Sequence, residues 1–405
     1  MIWILSWRNI WRNRSRTLIT LLSVAFAVFL TIVMQSLQKG IFDHMINNVV
    51  RYYTGYVQIH QAGYWKERIL ENSFEWPGTL EKKISNIQGI QGWVPRLESF
   101  MLASSDMHTK GCFVIGTNPD LENRLTRLQT RLVAGSYLEL HDNALLLGDE
   151  LAHKLKIKPG DSLILLGQGM QGSLSAFKAP VKGILHFGSP DQNARFIYSS
   201  LPFLQTQLNA ENFITSLSID IPNENQMVMV QKKLLQNLDS SYECLNWREL
   251  LPDLNGHIEA DKNSSSIFSG VLYFIITFGI FGTLMMMMAE RQREFGIMMS
   301  LGMQKSILSF TLFLEIMMVS LLGVVCGMVM SIPITFYFQE HPIQLGGKIA
   351  EVYKEFGFEA LLPMAVSPSI FIRQAVIVFG IASILSLYPM WHIKNLNPVK
   401  AFRSK

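Results

Sequence analysis

Long apolar runs alternate with a polar middle, and their order predicts the layout of the chain. Residues 17–38 (TLITLLSVAFAVFLTIVMQSLQ) carry no charge and are long enough to cross a bilayer. Further apolar runs follow at 266–289, 308–338 and 370–390. From about 52 to 262 no stretch is apolar enough to span, and the periodicity changes. Leu217-Ser218-Ile219-Asp220-Ile221 alternates with period two and predicts a strand. Residues 79–88 and 223–238 have helical spacing, the second opened by Pro222-Asn223 as a cap signal. Residues 135–166 read helix, turn, strand. The expected fold is an α-helical membrane domain of four transmembrane helices, with a large α/β domain between helices 1 and 2.

The flanks refine this plan. Residues 1–16 place Trp3, Trp7, Ile10 and Trp11 on one helical face, with Arg8, Arg12, Arg14 and Arg16 elsewhere. Tryptophans beside arginines suit the headgroup layer, so an interfacial elbow helix is expected there. Ala25-Phe26-Ala27 looks like a signal-peptide cleavage triplet, but it lies inside the apolar run and helical patterning continues past it, which favours an anchor. Phe42, Ile46 and Val49 prolong one face, so a first span with a stalk is expected over 17–50, the α/β domain over 51–262 and the remaining helices over 263–405. Pro333 is expected to kink or end the third span.

Charge sets an expected orientation. The first sixteen residues hold four arginines and no acid, and the tail holds Lys394, Lys400, Arg403 and Lys405. Loop 339–369 has Glu340, Glu351, Glu355 and Glu359 against Lys348 and Lys354. Positive flanks stay in the cytoplasm, which puts both termini and residues 290–307 inside and the α/β domain outside the cytoplasmic membrane. The 405 residues are 16% charged with mean hydropathy +0.22, too apolar for a soluble protein and too polar for spans throughout. The net charge of +4 is small, and no basic block with interleaved aromatics calls for nucleic acid. Cys112, Cys244 and Cys326 offer no ligand pair, though a Cys112–Cys244 disulfide is open to an exported domain.

The stretch from Glu290 to Lys305, ERQREFGIMMSLGMQK, stands out between the second and third spans. Charges open it and apolar residues close it at helical spacing, which predicts a short amphipathic helix. By pattern alone it is either a turn resting on headgroups or a knob for a partner's groove. Its wording resembles E-R-x-R-E-F-G-I-L-R-A-L-G of the FtsX/MacB/Lol family of ABC-transporter permeases, with Met298 and Met299 where Leu-Arg is common. LYPMWHIKNLNPVKAFR resembles that family's closing L-Y-P-A-x-R-A-A-R-x-x-P-V-E-A-L, with His392 and Lys394 departing from it. GSYLELHDNALLLGDELAHKLKIKPGD is similar to a run in the family's MacB-like extracytoplasmic domain.

The resemblance implies a permease working with a separate ATPase in two copies, which holds ATP and Mg, and with a second permease copy or a paralogue. It implies that Glu290, Arg291, Arg293 and Glu294 contact that ATPase while Phe295 and Met298 fill its groove. It also implies export of lipoproteins, of periplasmic peptides or drugs, or regulation of cell-wall hydrolases. The size of the outer domain argues against the last, and the missing ATPase segment against the MacB form.

Nothing in the chain calls for catalysis or a cofactor. Gly167-Gln168-Gly169-Met170-Gln171-Gly172 matches G-x-G-x-x-G, but a strand and not a helix follows, so a hairpin is expected. There is no phosphate-binding loop, H-E-x-x-H or C-x-x-C, and no metal site is expected. Glu315 is the one charge well inside a span. Such an acid reaches the interface or bonds a neighbouring helix, or else serves dimer contacts or gating. Gly323, Gly327 and Ser331 follow at four-residue spacing, a face suited to close packing. The spans offer too few polar groups for an aqueous path. Apolar faces with Phe29, Val33, Phe274 and Phe278 could receive acyl chains sideways from the lipid, for transfer to a periplasmic carrier.

Overall fold

The computed structural model describes residues 2–12, 14–46, 50, 53–105, 108–222, 224–355 and 360–395. Expectations for Val49, Glu359, Lys400, Arg403 and Lys405 lie outside these residues. The chain forms two compact units, one of Met1–Asp43, Ile258–Gln344 and Leu361–Lys405, the other of His44–His257 and Leu345–Ala360.

The first unit is helical. Its helices are α1 (Ile2–Arg12), α2 (Arg14–Met45), α3 (Pro252–Ser300), α4 (Lys305–Glu340) and α5 (Pro368–Asn395). Segments Thr17–Met45, Pro252–Ser300, Lys305–Glu340 and Pro368–Ile393 are long and apolar enough to cross a membrane. At ~1.5 Å per residue, α3 extends roughly 74 Å, more than twice a hydrocarbon core. Val28, Ile32, Ile276, Ile280, Val324, Val378 and Ala382 form the shared core. α4 lies close on α2 because Gly323 and Gly327 have no side chain to hold them apart. A Cβ on Gly327 would stand 2.6 Å from the Ala25 carbonyl oxygen, and one on Gly323 2.8 Å from Val24. The small-residue face is therefore used within the chain. Pro333 does not end α4, which runs on to Glu340. Past α4, Ile343–Gln344 pairs antiparallel with Leu361–Leu362.

The second unit is built on a ten-stranded sheet. Its strands are β1 (Val57–Gln61), β2 (Gly92–Ser105), β3 (His108–Thr117), β4 (Leu132–Gly135), β5 (Leu145–Gly148), β6 (Ser162–Gln168), β7 (Leu174–Leu185), β8 (Phe196–Ser200), β9 (Ser216–Asp220) and β10 (Tyr242–Asn246). The order is β10-β1-β9-β2-β3-β8-β5-β7-β4, and β6 joins β2 to β7. The pairs β2·β3, β3·β8, β8·β5, β5·β7, β7·β6 and β6·β2 close on themselves, so six strands make a small barrel. Period two sends Met101, Ala103, Cys112, Val114, Leu147, Leu163, Leu165, Ala179 and Ile197 inward, all fully buried. Their neighbours Phe100, Leu102, Ile164 and Leu166 are exposed.

The β6–β7 turn is the expected hairpin: Gln168 faces Leu174, and the Gly169 amide bonds the Ser173 carbonyl at 2.7 Å. The disulfide left open by sequence is excluded. Cys112 on β3 and Cys244 on β10 are four strands apart, roughly 19 Å at ~4.8 Å per strand. Burial pushes each thiol up to about 12. Arg96 and Glu122 form a fully buried pair, with Arg96 Nε and Nη2 donating to the two carboxylate oxygens at 2.8 and 2.6 Å. Nη1 donates to the Tyr53 carbonyl and the Thr117 hydroxyl donates to Glu122, so each guanidinium nitrogen and each carboxylate oxygen has a partner.

Candidate functional site: a charge network joining three helices

The polar residues of the helical unit converge where α1, α3 and α4 meet. Glu315 on α4 is 3% exposed. Its Oε1 accepts from Asn9 Nδ2 on α1 and its Oε2 from Arg291 Nη1 on α3, both at 2.6 Å. Arg291 Nε also donates to Glu294 Oε2 at 3.3 Å, and Glu294 takes Arg12 Nη2 on Oε1 at 2.7 Å and on Oε2 at 2.5 Å. Ser6 of α1 adds a bond to the Thr311 carbonyl at 3.2 Å. The network lines a cavity of about 190 Å³, whose walls carry Arg12, Glu290, Arg291, Glu294 and Glu315 together with the apolar Ile280, Leu284 and Ile316. Among the described residues no cluster could hold a metal ion.

Residues 290–305 do not form a helix of their own. α3 continues without a break to Ser300. The run from Ala289 to Ser300 contains good helix formers and no proline, so the edge of the apolar stretch is not a helix end. The stop comes at Gly302, whose φ of +94° needs a residue without Cβ. The Gly302 amide bonds the Met299 carbonyl and the Met303 amide bonds the Met298 carbonyl, the paired closure of a Schellman cap. The Leu-Gly that ends the motif is thus the chemistry of a cap.

This changes what the motif's side chains can do. Phe295 was expected to fill a partner's groove, yet it is 0% exposed and packs with Met288, Leu308, Leu312 and Ile393. Met298 is half-buried against the same cluster. Arg291 and Glu294 pair within the chain, and the side chains of Glu290 and Arg293 are exposed. Arg293, Ile297 and Leu301 recur at four-residue spacing along the outward side, with Leu301 83% exposed. Ile297 and Leu301 lie beside Phe295 and Met298 in the sequence pattern, but nothing local says which face of α3 the helices α4 and α5 cover. Of the four residues expected to face cargo, Phe274 and Phe278 are exposed with ring centres 4.5 Å apart, and Phe29 and Val33 are half-buried on α2.

α1 also differs from expectation. Trp3, Trp7 and Trp11 face outward, but Ile10 is buried and does not share their face.

A model of the MacB-like periplasmic core domain matches residues 17–236, more than half of the chain, and one of the FtsX-like permease C-terminal domain matches residues 266–398. The chain belongs to the FtsX/MacB/Lol family of ABC permeases. This permease is 21% identical to the lipoprotein-releasing system transmembrane protein LolE of Haemophilus influenzae over 420 residues, covering 99% of this chain and 98% of the relative. Among solved structures it is similar to the extracellular domain of the ABC-type transporter YknZ from Gram-positive bacteria (15% identity, TM-score 0.34, 47% of this chain and 100% of that one). It is also similar to the periplasmic region of MacB from Actinobacillus actinomycetemcomitans (14% identity, TM-score 0.35, 52% of this chain and 94% of that one). The permease is therefore a membrane protein with an extracytoplasmic domain of MacB-like type.

Proposed function

We propose that this permease extracts lipoproteins from the inner membrane for transfer toward an outer membrane, driven by ATP hydrolysis on a separate ATPase subunit present in two copies. The observation that carries this reading is the end-to-end similarity to the lipoprotein-releasing protein. The helical unit supports it. Its buried charges are paired with one another, which leaves a poor path for a hydrophilic cargo, whereas Phe274 and Phe278 offer apolar surface. A multi-acylated anchor draws about 0.8 kcal/mol per buried CH₂ from such contact. A second permease copy or a paralogue completes the assembly, both termini lie in the cytoplasm, and a periplasmic carrier takes up the cargo.

In this reading the ATPase meets the outward stripe of Arg293, Ile297 and Leu301, because Phe295 is already spent in the core. Replacing Phe274 or Val33 by Asp should abolish lipoprotein release while the complex still assembles. Depletion of the permease should leave acylated proteins in the inner membrane. An unchanged distribution of these proteins, with increased sensitivity to an exported peptide or drug, would favour efflux instead, the reading that the MacB-like match keeps in view.

A further inference from the structure

The elbow helix α1 is attached in an unusual sense. Its aromatic face, Trp3, Trp7 and Trp11, is 63%, 44% and 53% exposed and points away from the protein. Ile10 is its one buried apolar side chain among those described. Among the described residues, three polar links join α1 to α3 and α4: Ser6 on the Thr311 carbonyl, Asn9 on Glu315 and Arg12 on Glu294.

The Asn9 and Arg12 links belong to two arms that meet at Arg291. In the Asn9–Glu315–Arg291 arm the charged side chains are 4% and 13% exposed, and breaking such a pair strands a charge away from water. In the Arg12–Glu294 arm they are 56% and 43% exposed, so the pair is weak and salt-screened. Residues of both arms line the cavity, which leaves their side chains room to move. Every carboxylate oxygen of Glu294 and Glu315 already carries a donor, so these two acids do not call for a charged ligand. Glu294 also directly follows Arg293, the start of the outward stripe.

We propose that the network is a two-part latch. The Asn9–Glu315–Arg291 arm keeps the elbow hinged on α3 and α4, and the Arg12–Glu294 arm opens and closes during the transport cycle. The cycle itself rests on the transporter reading; the latch does not.

Spin labels at Arg8→Cys and Ile297→Cys, in the full chain carrying Cys326→Ser in lipid nanodiscs, test the latch without any ATPase. At about 20 mM salt one narrow distance is expected, and at about 0.5 M a second population should grow severalfold. Arg12→Ala should show that second population at both salt concentrations, and Arg12→Lys should restore the salt dependence in part. An Arg12→Ala distance distribution identical to the parent's would overturn the latch. A reducible, thiol-specific cross-linker that spans Arg12→Cys and Glu294→Cys in the reconstituted complex should lower lipoprotein release roughly tenfold, and reductant should reverse the loss. Full release from the locked protein would refute the cycling arm while leaving the transporter reading intact. No release from the unlocked parent would count against the lipoprotein reading alone.

Discussion

Each unit buries an arginine against a glutamate, and the two pairs are set in opposite surroundings. Arg96–Glu122 lies inside a sheet-based core at 0% exposure for both side chains, closed off by a backbone carbonyl and a hydroxyl. Arg291–Glu315 lies among membrane helices, edges a cavity and continues into a half-exposed pair. The first pair can only be satisfied or broken. The second has somewhere to pass its strain, through Glu294 to Arg12. Closure makes a salt bridge a structural fixture, and continuity with the surface makes it usable for movement.

The comparison is broken most severely at the closed pair. Arg96→Ala should destabilise the second unit by about 3–5 kcal/mol because Glu122 keeps its charge without a counter-ion. Hydrogen exchange along β2 in the full chain reads this, and a double replacement by Met and Leu should cost far less. Glu315→Leu should cost less than Arg96→Ala, about 1–3 kcal/mol, since Arg291 retains Glu294 and the cavity can admit water. Glu315→Gln, which still accepts from Asn9, should be milder again. Thermal unfolding in detergent ranks the two, and a harmless Leu would mean that the carboxylate contributes nothing to the joint.

The closed core also holds titratable groups whose effects oppose each other. Burial pushes His60 down from 6.5 to about 3. The unfolded chain takes up a proton at His60 near pH 6.5, and the folded one resists until about 3. The stability linked to His60 is therefore complete above pH 6.5 and falls through that window, by up to about 1.4 kcal/mol per pH unit. His60→Phe should flatten this slope while keeping ring contact with Tyr64 and Trp65. Burial pushes the Glu98 carboxyl up, so its contribution is lost as pH rises, and Glu98→Gln should stabilise the unit near neutrality while still accepting from Ser216. The smallest effect belongs to the open arm. Arg12→Ala should change global stability by less than ~1 kcal/mol, and a larger loss would mean that Arg12 belongs to the fixed joint.

Much of the outline was legible in the sequence. Four apolar runs longer than a bilayer is thick leave few alternatives to spanning helices, and the period-two run at 217–221 falls on β9, because both signals are local. The motif ERQREFGIMMSLG carried the family for a local reason too: its Leu-Gly closes a helix and its charges make a joint. Where α3 ends was misjudged because hydropathy marks where a chain leaves lipid, whereas helix ends follow backbone hydrogen bonds, and those persist to the cap at Gly302. Only the tertiary structure decided the roles of individual residues. Phe295 became core and Ile297 surface according to which side of α3 the other helices cover, and Glu315 met Asn9 across 306 positions of chain. The closure of six strands into a barrel likewise rests on β6 pairing with β2 and β7 at once, a contact that no local pattern encodes. Periodicity is a property of neighbours along the chain, while burial and charge pairing belong to neighbours in space, and the function of this permease rests on the second kind.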